Sequence, residues 1–323
     1  MADRVLLLAT KDTVAYRRRP GHESVATGAE LLAAAGPVAA GVTAVDVISE
    51  PGWDLSPTTL LALARRVREA AASGEYGGIV LTQGVDAMAE TAYLIDLVLG
   101  ADAARTAIVL TGAVRALDDP DSDGPANLAG ALAAASDPAV RGLGAVACAH
   151  GELHAARWVT LVDASRPDGF GSAPYGPVGR VVDGRVRLLA APPPRPPAVH
   201  GPPEWDVVLL KTYPGINPEL LASLADGGAR GVVLEGTGRG NVPASLFAAI
   251  GELLDGDVPV VIASRSHHPP EDGLPADQAM AERLGAIGAR GLRPEQARVA
   301  LMAALGNGGD QGVDAVRDWF ARL

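Results

Sequence analysis

Short runs of consecutive apolar residues alternate with longer Ala/Leu-rich segments of helical period along the whole chain. Apolar runs without polar alternation mark strands buried on both faces, and their interleaving with helical segments predicts βαβ units around a parallel sheet. In the first half the pattern predicts strands at 4–9, 42–48, 78–82, 107–111 and 144–149, with helices at 28–35, 57–71, 88–97 and 127–135. Ser56 followed by Pro57 is a strong helix start, because the hydroxyl can cap free N–H groups and the proline ring is already set to helical φ. An Asp-Gly pair between two strand-like runs predicts a hairpin over 180–189.

The segment "APPPRPPAVHGPPEW", 191–205, interrupts this alternation. So much proline can form neither a helix interior nor a central strand, and it predicts a stiff extended linker. The alternation then resumes, with strands expected at 206–210, 231–234 and 259–264 and helices at 218–225, 243–254, 294–304 and 313–323. The fold class expected is α/β in two domains: a larger doubly wound, mostly parallel sheet over 1–190 and a smaller α/β unit over 206–323.

Composition narrows the function classes. A chain of 323 residues with 48% hydrophobic and 20% charged residues belongs to the soluble globular class. No apolar run is long enough to span a bilayer, and Asp3 and Arg4 precede a short apolar run unlike a secretory leader, so a cytoplasmic location without membrane partners is expected. A net charge of −11 argues against nucleic acid, whose binding relies on clustered cations. The one basic cluster, Arg17–Arg18–Arg19, is expected to be a solvated loop. The single cysteine, Cys148, lies within the apolar "GAVACA", which excludes a disulfide framework and predicts a buried thiol. Two adjacent histidines in "SHHPP", 266–270, lack ligand spacing, and "DDPDSD", 118–123, lacks the glycine and terminal glutamate of a calcium loop. No metal or organic cofactor is expected.

In open parallel sheets ligands bind beyond the carboxyl ends of the strands. Four polar clusters fall there: "ATKDTVA" (9–15), "TQGVDAMAETA" (82–92), "TGAVRALDDPDSDGPANL" (111–128) and "GTGRGNVP" (236–243). No G-x-G-x-x-G follows the first strand, so "GTGRGN" alone does not make a dinucleotide site. A nucleophile fits better, since Thr13 follows a strand end and a hydroxyl there can be held rigidly above the sheet. Asp86, just past another strand end, can hold a substrate amine. Lys11 stands out as well, being one of only two lysines, with Lys211.

Taken together, these segments resemble the bacterial L-asparaginase/glutaminase amidohydrolases nearly end to end. "LLATKDTVA" is similar to the family's A-T-G-G-T-I-A opening, and "GGIVLTQGVDAMAETAYLIDLVL" to its strand followed by H-G-T-D-T-x-x-E-T-A. "LTGAVRALDDPDSDGPANLAGAL" resembles G-A-M-R-P…D-G-P-x-N-L, "YGPVG" (175–179) resembles Y-G-P-L-G, and "GTGRGNVP" resembles G-x-G-N-G-N. "LRPEQARVALMAAL" is similar to the C-terminal L-x-P-x-K-A-R-x-x-L-x-x-A-L. The resemblance implies a two-domain asparaginase-like fold and a homotetramer, built as a dimer of dimers, acting on a small-molecule amide.

It also implies a set of site residues, which this chain meets unevenly. The nucleophilic threonine falls on Thr13. Counted without gaps from Gly28, the loop tyrosine that assists it falls on His22, with Tyr16 the alternative in a rearranged loop. The substrate-carboxylate serine falls near Gly52, and is either missing or replaced by Ser49. The Thr-Asp-Lys triad reads Val85, Asp86 and Leu161. Ala113 belongs to the implied substrate-binding set. Asn241 is implied to reach a neighbouring subunit's site, and a following glutamate falls near Gln278, beside Asp277.

Losing the triad threonine and lysine together is coherent, because removing either alone strands a buried polar partner, whereas apolar replacement of both can be nearly neutral. The loss removes the usual base. Lys11 and Asp12 replace two glycines of the family motif, so at least one side chain of this pair is expected towards the pocket, and Lys11 or His22 becomes the expected substitute base. With the carboxylate-binding serine absent, an altered amide or related acyl substrate is expected. A catalytically silent paralogue binding an amino-acid-like ligand is the alternative, and a slow asparaginase the third reading.

Overall fold

The apolar runs at 5–9, 78–82, 107–111 and 145–149 become strands whose every residue is buried. Each fully buried leucine among them, such as Leu7 and Leu8, contributes about 1.5–3 kcal/mol of hydrophobic free energy. The computed structural model describes residues 4–19, 21–37, 41–47, 50–100, 105–197, 199, 201–266, 278–308 and 312–323. They form two compact units, Met1–Pro194 and Arg195–Leu323.

The first unit runs β1 (Val5–Ala9), β2 (Tyr16–Arg19), β3 (His22–Val25), α1 (Gly28–Ala34), β4 (Val42–Asp46), α2 (Pro57–Ala72), β5 (Gly78–Thr82), α3 (Met88–Leu99), β6 (Ala107–Thr111), α4 (Gly124–Ser136), β7 (Ala145–Ala149), β8 (Glu152–Ala155), β9 (Thr160–Leu161), β10 (Phe170–Gly171), β11 (Gly179–Val182) and β12 (Arg185–Leu188). Its eight-stranded sheet has the order β12-β11-β8-β7-β6-β5-β1-β4. The strands β4, β1, β5, β6 and β7 are parallel, while β8, β11 and β12 extend the sheet antiparallel. The sheet is therefore mixed. Alternate residues of each parallel strand face opposite sides. Val5, Leu7, Val80, Val109, Val146 and Cys148 pack with Leu31 of α1 and Leu128 and Leu132 of α4. On other contacts of the sheet, α2 and α3 pack against each other and against β5, β6 and β7.

Local chemistry accounts for the element starts. The Ser56 hydroxyl accepts from Thr59 N at the head of α2, with proline in its first turn. Thr27 and Glu30 form a reciprocal capping box on α1. Between β11 and β12, Asp183 and Gly184 both adopt left-handed backbone, with φ of 51° and 73°, as the tight turn of a two-residue hairpin requires.

One segment differs from expectation, and another forms a strand that the apolar pattern did not predict. The arginine cluster lies on β2, paired with β3 in an antiparallel ribbon instead of a loop. "AHGELHA" turns at His150 and Gly151 and returns as β8 against β7. Both are short hairpins whose polar content hides any apolar period.

The second unit runs β13 (Val207–Lys211), α5 (Glu219–Asp226), β14 (Gly231–Gly236), α6 (Phe247–Asp255), β15 (Val260–Ser264), α7 (Gln278–Leu284), β16 (Ile287–Gly288), α8 (Pro294–Leu305) and α9 (Val313–Phe320). Its four strands are parallel in the order β13-β14-β15-β16. A core of its own joins Val232, Leu234, Val260 and Ile262 to Leu221, Leu246 and Ile250. Among the described residues, no helix is long and apolar enough to cross a membrane.

Candidate active site

The chain passes from β1 to β4 on one side and from β4 through α2 to β5 on the other side of β1, so the crevice at the carboxyl ends of β1 and β5 is the topological switch point of the sheet. These strand ends are tied together. Thr10 N donates to Thr82 Oγ1 at 2.9 Å, and Thr10 Oγ1 donates to the Thr82 carbonyl at 2.6 Å. Beyond this clamp the chain makes a single 3-10 turn, Thr13–Ala15, closed by Ala15 N and Tyr16 N donating to the Asp12 carbonyl at 2.7 and 3.1 Å.

The two residues between clamp and turn point differently. Lys11 is exposed, whereas Asp12 is turned inward and is 4% exposed. Its Oδ1 accepts from Thr13 N at 2.7 Å and from the Thr13 hydroxyl at 3.3 Å. Its Oδ2 accepts from Gly52 N at 2.6 Å. The carboxylate also lies against the bare Cα of Gly84, where a Cβ would stand 2.2 Å from Oδ2 and 2.7 Å from Cγ. Charge-assisted bonds to backbone N–H groups are among the stronger protein hydrogen bonds and keep such an anion fixed. Sequence spacing could show that at least one of residues 11 and 12 faces the pocket; the structure turns Asp12 inward and leaves Lys11 exposed beside it.

Tyr16 follows the turn at the start of β2, and its hydroxyl donates to the Lys11 carbonyl at 3.4 Å. Burial, then the negative charge of Asp12, hold its phenol above the ordinary value, with Arg18 opposing. The ribbon it opens is pinned at three points. Leu117 N donates to the Tyr16 carbonyl at 2.7 Å, Arg18 N donates to Asp118 Oδ1 at 2.9 Å, and Arg17 pairs with Glu30 at 2.9 Å.

On the β5 side, Val85 is half-buried and Asp86 exposed in the turn that precedes α3. Gln83 is buried, its Nε2 donating to Thr91 Oγ1 at 2.6 Å while its Oε1 has no partner among the described residues. Buried amide oxygens are rarely left so. On the β6 side, buried Ala113 sits in a loop held by Asp123, which accepts from Val114 N, Arg115 N and Asn127 Nδ2 at 3.0–3.1 Å. Asn127 passes the connection on, donating to the Gly112 carbonyl and accepting from His150 N. His154 is buried between Ser172 Oγ, at 2.8 Å, and Glu152, at 3.5 Å. Burial lowers its pKa, with the Glu152 charge opposing.

Thr13, Asp12, Gly52 and Gly84 are thus brought together by direct contacts. Leu161 lies on β9, paired with Phe170 of β10. Asn241 is exposed in the second unit, where its backbone exchanges two hydrogen bonds of 2.8 Å with Thr237 to close the "GTGRGN" turn. His22 opens β3, and its side chain, like that of Gln278, lies outside the described residues, as do Ser49, Asp277 and the histidines at 267 and 268.

Residues 4–194 match the family model for the N-terminal domain of asparaginase, and residues 206–320 match the glutaminase/asparaginase C-terminal domain. The chain belongs to the asparaginase family of amidohydrolases. A probable L-asparaginase of Deinococcus radiodurans is 32% identical to it over 94% of each chain. A glutaminase-asparaginase of Pseudomonas fluorescens biotype A is 29% identical over 93% of this chain and 86% of the relative. The crystal structure of a probable cytoplasmic L-asparaginase from Campylobacter jejuni superposes with a TM-score of 0.82 at 25% identity, covering 99% of both chains. Within this family fold, Asp12 and the glycines that receive it are the feature that sequence reasoning did not resolve. The signal for it was the pair of side chains standing at 11 and 12, and the choice between them depends on residues distant in the chain.

Proposed function

We propose that the chain is an amidohydrolase with Thr13 as nucleophile, acting on a side-chain amide or related acyl substrate bound at the β1/β5 crevice. The observation that carries this is the placement of Thr13, whose hydroxyl lies in the first turn after a buried interior strand with its hydrogen bond directed to Asp12. Attack by Thr13 Oγ on the amide carbonyl forms a C–O bond and breaks the C–N bond. The hydroxyl proton passes to a base and then to the leaving nitrogen, which departs as ammonia or an amine. Water hydrolyses the resulting ester and restores the hydroxyl.

Lys11, beside the turn, and His22, on the ribbon that follows it, are the proposed bases in place of the absent triad partner. Tyr16 adds a phenol next to the same turn. Asp86, at the rim, is proposed to hold a substrate amine, with Val85 and Ala113 as apolar walls and Gly52 lining the site with its N–H held by Asp12. Asn241 of a neighbouring subunit completes the site in the proposed homotetramer. The relatives named as L-asparaginase and glutaminase-asparaginase make asparagine and glutamine the first amides to assay. Acyl-enzyme trapping with a panel of amides, followed by mass spectrometry, tests the proposal. A mass increment on the peptide holding Thr13, absent in Thr13→Ala, supports it; turnover unchanged in Thr13→Ala refutes it.

The pinning of the Thr13 hydroxyl to an internal carboxylate also favours a second reading, a silent paralogue that binds an amino-acid-like ligand. Tight calorimetric binding with no amide turnover would support that reading over the first.

A further inference from the structure

Asp12 has a simple structural role available, as the cap of the 3-10 turn, and its Oδ1 bond to Thr13 N fulfils it. That role does not account for Oδ2. The second oxygen crosses to the N–H of Gly52, forty residues on, at 2.6 Å. It also fills the space where Gly84 lacks a side chain, since a Cβ there would stand 2.2, 2.7 and 2.9 Å from the three carboxylate atoms Oδ2, Cγ and Oδ1. Gly52 is bare in the same direction, its own ideal Cβ lying 3.2 Å from Oδ2 and 3.0 Å from the Gly84 Cα. Two glycines from separate loops and two backbone N–H donors therefore enclose a slot with the size and polarity of one carboxylate. The chain's own carboxylate sits in it.

We infer that Asp12 is a built-in occupant of an anion slot, and that the site accordingly selects amides lacking a free carboxylate beside the reacting chain. The inference rests on the crevice being the substrate site, as proposed above, and deepens that reading by naming the substrate class. A carboxylate arriving from solvent would have to displace Asp12 from three donors or lie against a like charge in a largely buried place. Like charges in contact disfavour binding strongly, whereas a neutral acyl chain or one carrying only an amine meets no such opposition. An amine finds attraction from Asp12 as well as from the exposed Asp86. Asp12 thus acts as a specificity-determining residue through the space and charge it takes up, whichever group serves as base.

Binding measurements test this without requiring catalysis. Calorimetry on the full chain, at fixed ionic strength, would compare L-aspartate with 3-aminopropanamide, an amide with an amine and no carboxylate, on wild type, Asp12→Gly and Asp12→Asn. Wild type is expected to prefer 3-aminopropanamide, Asp12→Gly to gain more than about tenfold in L-aspartate affinity, and Asp12→Asn, which still fills the slot, to gain less than Asp12→Gly. Equal L-aspartate affinity in wild type and Asp12→Gly, with both folded by circular dichroism, overturns the inference. If Asp12→Gly does not fold, wild type decides: a preference for 3-aminopropanamide supports the slot, and equal or tighter binding of L-aspartate overturns it. The same titrations in Thr13→Ala leave the ranking intact, so failure of the slot and failure of the nucleophile are separate results.

Discussion

Asp123 is the residue on which the β6 side of the crevice depends, and Asp123→Ala is the perturbation that measures it. The carboxylate is 9% exposed and accepts from Val114 N, Arg115 N and Asn127 Nδ2. Truncation strands two backbone donors and removes one of the two acceptors of the Asn127 amide, whose bond to the Gly112 carbonyl remains. Val114 and Arg115 are only half-buried, so water can reach the freed N–H groups and the lower part of the usual range applies. The expected loss is about 2–4 kcal/mol. For a unit of this size that corresponds to a fall of roughly 4–16 °C in its melting temperature. Differential scanning calorimetry reads the shift, and amide exchange at Val114 and Arg115 localises it, since both should lose protection ahead of the strands. Adding Asn127→Ala should cost less in the Asp123→Ala background than alone, because the two share a bond. A melting temperature within about 2 °C of wild type, with protection retained, would refute the account of this loop.

Thr13→Ala is expected to lower amide turnover by about a thousandfold or more while leaving the melting temperature near wild type, read by ammonia release and calorimetry. Lys11→Ala is expected to lower kcat by at least about tenfold with a changed pH profile if it serves as the base; unchanged kcat would leave that role to His22. Glu30 is held at about 2 by the backbone hydrogen bond at Thr27 first and Arg17 next. Its folded value is depressed, so its contribution to stability is complete above the ordinary carboxylate range and lost as pH falls towards 2; carbon-detected NMR should show the titration rising in Arg17→Ala, which removes the guanidinium partner while the Thr27 N–H stays in place. Burial pushes the Cys148 thiol up to about 12. Native protein at about pH 8 should therefore resist iodoacetamide, and the same reagent should label Cys148 after unfolding in urea.

The parallel core was legible because its strands are buried on both faces and read as unbroken apolar runs: β5 and β6 occupy the expected 78–82 and 107–111. The start of α2 was legible for a local reason, a capping serine and a proline in sequence. The β2–β3 ribbon was not, since "YRRR" against "HESV" carries no apolar face and is held by contacts to Asp118, Glu30 and Leu117. The returning strand β8 was hidden by "AHGELHA", where the turn depends on left-handed backbone at His150 and Gly151. The position of Thr13, in the turn just past β1, was legible from the apolar run before it. The orientation of its neighbours was not. Spacing leaves Lys11 and Asp12 equivalent, and the choice is made by an N–H at Gly52 and a vacant position at Gly84, which no local window contains.

That vacancy ties two positions in the history of the chain. While Asp12 keeps its carboxylate pinned by Gly52 and Thr13, residue 84 cannot gain even a methyl group without dislodging it. A lineage that places a side chain at 84 must first shrink the one at 12, so the order of the two substitutions is constrained. Reconstructed intermediates should accordingly carry glycine at both positions, and the double replacement should be tolerated where the single change at 84 is not.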